Sequence, residues 1–248
     1  MKYVKEFFLT YIQMISVIML LVILNACGKE PASPAPIIIP PPVVIDTNAN
    51  LKTYLALGDS YTIGQSVTID QRFPVQTKLL LGMQGIQMKQ PDIIATTGWT
   101  TGNLLSTLSN NPPSNNYDVV SLLIGVNNQY QGRSQDEYRL HFTDLLNKAV
   151  SYAGGRKNRV FVLSIPDYSV TPFAQNSDTA RIAREINEFN QINKQITTLA
   201  GITYLDITAI SREASTDASL TASDGLHPSG KQYGRWATLL SPLMKAVL

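Results

Sequence analysis

Residues 52–64 of the chain read KTYLALGDSYTIG, and this stretch decides the fold class. A short apolar run at 54–57 is followed at once by Gly58, Asp59 and Ser60, which favour a turn. Further brief apolar runs occur at 93–96, 119–124, 160–165 and 202–207. Short apolar runs that alternate with amphipathic segments are typical of a parallel sheet with right-handed crossover helices. The sequence therefore predicts a three-layer α/β/α domain whose five parallel strands lie in the flavodoxin-like order 2-1-3-4-5.

In the segments between these runs, apolar residues recur at the spacing of an amphipathic helix. Apolar residues recur every three or four positions over 182–199, and Gly201 then suits a helix C-terminus. Another helix is predicted to begin at Ser134, with Glu137 completing a capping box. A final helix is predicted before the C-terminus, with Pro242 kinking its end.

Composition excludes several function classes. The chain is 44% hydrophobic and 15% charged, with 20 Lys+Arg against 18 Asp+Glu, which is typical of a globular protein without a basic face for nucleic acid. One cysteine and two histidines are too few for a disulfide framework, a zinc finger or a three-histidine metal site. We expect no cofactor, no metal and no nucleic-acid partner.

Residues 1–26 are predicted to be a secretory signal peptide, because basic residues precede an apolar run over 7–24. An uncleaved membrane anchor is the alternative. The segment ending in Ala26 and Cys27 resembles the bacterial lipobox, which implies lipidation of Cys27. We therefore expect a lipid-anchored protein of the bacterial cell envelope, at the outer membrane, whose only membrane attachment is this lipid.

Residues 27–50 contain six prolines and are predicted to be an extended tether. The alternative is that the apolar residues at 37–39 and 43–45 pack on the domain as an edge strand. The folded domain is then predicted to span 51–248.

Four polar, glycine-containing blocks follow the predicted strands or precede the last helix. Their sequences are GDSYTIG at 58–64, GWTT at 98–101, GVNN at 125–128 and DGLHP at 224–228. In this order the blocks resemble the SGNH/GDSL hydrolase family, and the resemblance extends from about Thr53 to the C-terminus. It implies the SGNH hydrolase fold and ester hydrolysis through a covalent acyl-enzyme.

The residue types within these blocks suit nucleophilic catalysis. A serine hydroxyl needs a base to take its proton, and only two histidines are available. His227 is the candidate base for Ser60, because Asp224 lies three residues away and can orient the imidazole from a tight turn. His141 falls within a predicted helix, beside its apolar stripe, and is interpreted as a boundary residue.

Three other carboxylates lie close to the predicted ends of strands. Asp59 adjoins Ser60 but is expected to brace the turn, since successive residues of an extended segment point in opposite directions. Asp167 and Asp206 follow the fourth and fifth predicted strands and remain alternative orienting residues.

The family resemblance also implies an oxyanion hole. Its donors would be the backbone N–H groups of Ser60 and Gly98 and the side-chain amide of Asn127. The sequence departs from the family pattern at Trp99, where an acidic residue is frequent, and at Asn128, where aspartate is common. Both departures affect the expected shape of the pocket, while every donor is retained.

The sequence thus predicts a metal-independent serine esterase acting on carboxylic esters. Short acyl groups are expected, because the chain offers no obvious lid or long acyl tunnel. The pocket is expected to include residues from 129–131 and 168–173. Alternatives are an O-acetyl esterase or transferase acting on glycan esters, a lysophospholipase-like enzyme and, from another class, a tethered binding protein without catalysis.

Overall fold

The computed structural model describes residues 51–114 and 116–248. Its centre is a parallel sheet whose strands are β1 Tyr54–Gly58, β2 Asp92–Ala95, β3 Val119–Leu123, β4 Val160–Leu163 and β5 Thr203–Leu205. The strand order is β2-β1-β3-β4-β5, which confirms the predicted topology. In the register between the central strands, Leu55 pairs with Val120 and Gly58 with Leu123.

Helices connect the strands and cover the sheet. In the described part of the chain they are α1 Ser60–Ile63, α2 Phe73–Met83, α3 Thr101–Asn110, α4 Val126–Tyr130, α5 Gln135–Tyr152, α6 Thr179–Leu199, α7 Thr208–Arg212 and α8 Gly230–Lys245. Helix α2 packs against α8, while α5 contacts both α3 and α6. Strands β1, β3 and β4 are buried along their whole length, as expected for parallel strands covered on both faces.

The helix ends agree only in part with the sequence predictions. Helix α6 ends at Leu199, and Gly201 follows in the left-handed conformation with φ +70°. The capping box predicted for α5 is only half formed. The Ser134 hydroxyl accepts the Glu137 N–H at 3.1 Å, but the Glu137 carboxylate instead lies 3.8 Å from His141 Nδ1. Helix α8 continues through Pro242 to Lys245.

The predicted signal peptide, Cys27, the tether and its alternative edge strand all lie outside the described residues. Among the helices that are described, none combines the length and the hydropathy needed to cross a bilayer.

Candidate active site

The turn after β1 places Ser60 at the carboxyl edge of the sheet. Gly58 ends this strand, and a Cβ at that position would lie 2.3 Å from the carbonyl oxygen of Leu123 on neighbouring β3. Only glycine permits so close an approach of the two backbones. The chain can therefore turn sharply into α1, and Ser60 becomes the first residue of that helix.

Ser60 is 5% exposed, and the preceding residue, Asp59, caps the helix that Ser60 begins. The helix N-cap is Asp59, not the serine, because Asp59 Oδ1 accepts the Tyr61 N–H at 3.0 Å. The Ser60 N–H donates to no acceptor within the described residues. Both the hydroxyl and the N–H of Ser60 are thus left available to a ligand.

Asp59 is fully buried, and burial raises the pKa of its carboxyl to about 7, although backbone N–H groups partly oppose the shift. Its second oxygen, Oδ2, has no hydrogen-bond partner among the described residues. This carboxylate braces the turn and makes no hydrogen bond to a histidine.

His227 and Asp224 share the turn before α8. His227 Nδ1 lies 2.6 Å from Asp224 Oδ2, while Asp224 Oδ1 accepts the N–H groups of Leu226 at 2.9 Å and of His227 at 3.0 Å. Partial burial raises the pKa of the Asp224 carboxyl, but hydrogen bonds from Ser66, Leu226 and His227 outweigh burial and hold the pKa well below its usual range. Asp224 is therefore ionised at neutral pH and orients the imidazole.

The other candidate groups lie elsewhere. Asp167 pairs with Arg212 at 2.9 Å, and Asp206 accepts hydrogen bonds from the Ser164 hydroxyl and the Thr208 N–H. Neither carboxylate makes a hydrogen bond or an ion pair with His227 in the described residues.

The second histidine belongs to a helix surface. His141 Nδ1 lies 3.3 Å from the Thr101 hydroxyl, and its side chain is one-third exposed on α5. This position agrees with its interpretation as a boundary residue.

Gly98 lies in the loop after β2 with φ +84°, a conformation that L side chains rarely adopt. Its N–H has no acceptor in the described part of the chain. Two side-chain amides fix this loop: Asn127 Nδ2 donates to the Trp99 carbonyl at 3.0 Å, and Gln131 Nε2 to the Gly98 carbonyl at 3.3 Å. One proton of the Asn127 amide remains free, since an amide carries two.

The two departures from the family pattern have clear places in the structure. Asn128 is fully buried; its Oδ1 accepts the Thr101 N–H at 2.9 Å and its Nδ2 donates to the Thr101 hydroxyl at 2.8 Å. It therefore ties α4 to the start of α3. The Trp99 side chain is half-buried and packs against the core, and it does not line the cleft at the carboxyl edge of the sheet.

A cleft of about 160 Å³ opens at this edge of the sheet. Four of the five residues that the sequence predicted for the chemistry line it: Ser60, Gly98, Asn127 and His227. The fifth, Asp224, lies behind the His227 ring and contacts its Nδ1. The remaining lining residues are mostly apolar or aromatic, namely Tyr61, Thr97, Val126, Tyr130, Tyr168, Phe173 and Leu226. The structure thus brings together the serine, the histidine and the three groups with free N–H donors.

Three aromatic rings form one wall of the cleft. The ring centroids of Tyr130, Tyr168 and Phe173 lie 6.2 to 6.3 Å apart. Tyr168 is buried and donates to Gln129 Oε1 at 2.9 Å, whereas Tyr130 is 60% and Phe173 47% exposed. The wall therefore combines a fixed inner ring with two rings at the mouth.

Sequence reasoning missed two contacts of the site. The Tyr61 ring packs on the His227 ring with centroids 5.4 Å apart, and the Ser66 hydroxyl donates to Asp224 Oδ2 at 2.6 Å. Tyr61 follows Ser60 directly and could have been considered from its position alone. Ser66 gave no such signal, because it lies 158 residues from Asp224.

No group of three or more His, Cys, Asp or Glu side chains suited to a metal ion occurs in residues 51–114 and 116–248.

The fold and the site together define a class of three-layer α/β proteins that carry a serine directly after the first strand and a histidine before the last helix. Comparison with known families agrees with this class. The model of the GDSL-like lipase/acylhydrolase family matches residues 56–235, and the chain belongs to that family. It is therefore a hydrolase. A search of curated proteins gives no significant match.

Solved structures share the fold at low sequence identity. TesA matches with a TM-score of 0.60 at 18% identity, over 79% of this chain and 100% of TesA. The acetylxylan esterase Axe2 from Geobacillus stearothermophilus matches with 0.60 at 18%, over 78% and 94% of the two chains. A lipase from a goat rumen metagenome matches with 0.61 at 20%, over 77% and 97%.

Proposed function

We propose that the protein is a metal-independent serine esterase acting on carboxylic esters with short acyl groups. The observation that carries this proposal is the shared cleft, which Ser60, His227, Gly98 and Asn127 all line. Asp224 Oδ2 lies 2.6 Å from Nδ1 of the same histidine, which leaves Nε2 for Ser60. A pure binding protein has no need of this combination.

In the first half of the proposed reaction, Ser60 Oγ attacks the ester carbonyl carbon while His227 Nε2 takes the hydroxyl proton. Asp224 fixes the ring through Nδ1 and stabilises the imidazolium that forms. The oxyanion would accept hydrogen bonds from the Ser60 and Gly98 N–H groups and from the second N–H of the Asn127 amide. Removal of one such donor typically lowers the rate about 10²–10³-fold. His227 then protonates the leaving alkoxide, which departs as the alcohol.

In the second half, water attacks the acyl-Ser60 ester. His227 takes a proton from that water and returns one to Ser60 Oγ as the carboxylic acid leaves. The enzyme is regenerated, with one water consumed for each ester cleaved.

The size of the cleft supports a short acyl group. Its volume of about 160 Å³ is below the ~300–1,000 Å³ typical of sites for drug-sized ligands. Its walls are mostly apolar, which suits an acetyl to butyryl chain better than a charged one.

A second candidate is an O-acetyl esterase or transferase acting on glycans. Two exposed rings at the mouth, Tyr130 and Phe173, favour it because flat aromatic faces can stack on a sugar ring. One of the structural neighbours is an acetylxylan esterase. The same triad would serve this reaction, with water or a sugar hydroxyl accepting the acyl group.

A substrate panel tests the proposal. Purified protein is assayed on nitrophenyl esters of two to sixteen carbons, acetylated xylan, acetylated peptidoglycan and a lysophospholipid, with Ser60→Ala as the control. We expect the highest kcat/KM on two- to four-carbon esters or acetylated glycans. A much higher kcat/KM on the lysophospholipid would replace the short-acyl proposal with a lipase-like activity.

We also propose that the chain is anchored to the bacterial cell envelope by a lipid on Cys27, at the outer membrane. The support is the sequence of residues 1–27, in which the apolar run over 7–24 is followed closely by the single cysteine, Cys27. In the native host, Cys27→Ser should abolish partition into detergent. An unmodified Cys27 in the intact mass of the mature native protein would contradict the proposal.

A further inference from the structure

Ser66 lies in the loop after α1 and has an unusual backbone. Its φ is +66°, and Asn116 is the only other non-glycine residue with positive φ in residues 51–114 and 116–248. Serine is disfavoured in this region, whereas asparagine tolerates it better. Such a conformation persists only where surrounding contacts hold it, and it points to a role for the side chain.

The Ser66 hydroxyl donates to Asp224 Oδ2 at 2.6 Å. This is the same oxygen that lies 2.6 Å from His227 Nδ1. The opposite oxygen, Oδ1, accepts N–H groups of its own turn, from Leu226 and His227. Of the four donors on this carboxylate, Ser66 is therefore the one that comes from a distant part of the chain.

The residue before Ser66 connects the same loop to the rest of the site. The Gln65 N–H donates to the Ser60 carbonyl at 3.0 Å, and Gln65 Oε1 accepts the Thr97 hydroxyl at 2.7 Å. Thr97 directly precedes Gly98. Two consecutive residues thus link the serine turn, the loop with the free glycine N–H and the carboxylate that orients His227.

We propose that Ser66 is a positioning residue of the active site, which fixes the Asp224 carboxylate against His227 and shares its negative charge. The inference rests on the proposed Ser60–His227–Asp224 triad. Without the hydroxyl, only donors of its own turn hold Asp224, and the side chain is 29% exposed. The imidazole would then be less constrained, and Nε2 would face Ser60 for a smaller fraction of the time.

Removal of Ser66 also changes how strongly Asp224 stabilises the imidazolium. The other titratable groups around His227 are Tyr61, Tyr168 and Asp167. Burial raises the pKa of Tyr61 and of Tyr168, so both stay neutral, and Asp167 is paired with Arg212. Without the hydrogen bond from the Ser66 hydroxyl, the negative charge of Asp224 is less stabilised by other donors and interacts more strongly with the imidazolium. The acidic limb of kcat/KM should therefore move to higher pH.

Two substitutions distinguish the effect of the Ser66 hydroxyl from the effect of its strained backbone. Ser66→Ala removes the hydroxyl and keeps the strained Cβ, whereas Ser66→Gly removes the hydroxyl and relieves the strain. We expect both to lower kcat about tenfold, with KM within about twofold, because a hydrogen bond to a charged group is lost. Both should raise the midpoint of the acidic limb, and Ser66→Gly should not lower the melting temperature.

Asn116→Gly is the matched control. It relieves the backbone strain at the other left-handed residue, which lies at the amino end of β3, away from the carboxyl ends of the strands where the site lies. It should leave kcat and the pH profile unchanged. In the Asp224→Asn background, Ser66→Ala should have no further effect on kcat, because both changes remove one interaction.

Wild-type kcat and an unmoved acidic limb in Ser66→Gly would overturn the inference, as would full additivity with Asp224→Asn. These outcomes are distinct from failure of the proposed function, in which the wild-type protein itself would show neither ester turnover nor reaction of Ser60 with a phosphonate.

Discussion

Asp59 directly precedes Ser60, and Asp224 lies three residues before His227; the surroundings of the two carboxyl groups affect them in opposite ways. Asp59 is fully buried with one oxygen unpartnered among the described residues, and burial raises its pKa to about 7. Asp224 is partly exposed and receives four hydrogen bonds, which hold its pKa well below the usual range. In the proposed mechanism the functional carboxylate is Asp224, although Asp59 is closer to Ser60 in sequence. The comparison indicates that the number of hydrogen-bond donors around a carboxylate is a better guide to its role than its position in the sequence.

The largest expected difference between the two carboxylates is in activity. Asp224→Asn should lower kcat/KM by about 10³–10⁴, because an amide cannot orient the ring as the carboxylate does. Asp59→Asn should retain most of the activity, since an amide oxygen can still accept the Tyr61 N–H. Asp206→Asn serves as a further control, and the assay is initial rates on an acetyl ester. A larger loss in Asp59→Asn or Asp206→Asn would reverse the assignment.

The next difference is in stability. A raised pKa in the folded state means that the folded protein binds the Asp59 proton more tightly than the unfolded chain does. The stability from this group is complete at low pH, and is lost as pH rises from about 4 through 7. Asp59→Asn mimics the protonated carboxyl and should remove this loss, leaving the variant about 2–4 kcal/mol more stable than wild type at pH 8.

Urea unfolding of both proteins at pH 5 and pH 8 measures this difference. Below pH 4 the low pKa of Asp224 acts in the opposite direction, and its contribution is lost as pH falls. Equal pH dependence in wild type and Asp59→Asn would contradict the buried, protonated state of Asp59.

A smaller effect is expected in the pH profile of activity. His227 must be neutral to accept the Ser60 proton, so kcat/KM should fall tenfold per pH unit on the acidic side. Asp224→Asn removes the charge that stabilises the imidazolium and should move this limb to lower pH, whereas Asp59→Asn should leave it in place. A shift in Asp59→Asn alone would show that the wrong carboxylate had been assigned to the histidine.

The smallest effect is expected from chelation. Neither carboxylate is assigned a metal in the proposed mechanism, so dialysis against EDTA should leave kcat/KM within experimental error. Loss of activity that added Mg²⁺, Ca²⁺ or Zn²⁺ restores would contradict a metal-independent reaction.

Much of the fold could be predicted because buried parallel strands are brief apolar runs. The strand ends were less accurate. The predicted fourth strand runs to 165, but β4 ends at Leu163. The Ser164 N–H still donates to the Leu205 carbonyl, whereas both the N–H and the carbonyl of Ile165 bond the Asn190 side chain. Apolar character continues to Ile165 while strand pairing does not, and sequence pattern reports only the former.

The candidate site was predictable where its contacts are local. Asp224 and His227 meet within one turn, so their spacing was sufficient to propose the pair. Ser66 was not predictable, since its contact depends on a left-handed φ and on the packing of two distant loops. The pKa of Asp59 likewise depends on burial that the sequence does not reveal.

Labelling with a serine-reactive phosphonate tests the central claim most directly. The reagent should add one equivalent to wild-type protein, on the peptide that contains Ser60, with loss of ester turnover in proportion to labelling. Ser60→Ala should remain unlabelled and inactive while keeping its fold, and Asp224→Asn should label far more slowly than Asp59→Asn. A label on Ser66 or Ser229, or full turnover by Ser60→Ala, would contradict the assignment of Ser60 as the nucleophile.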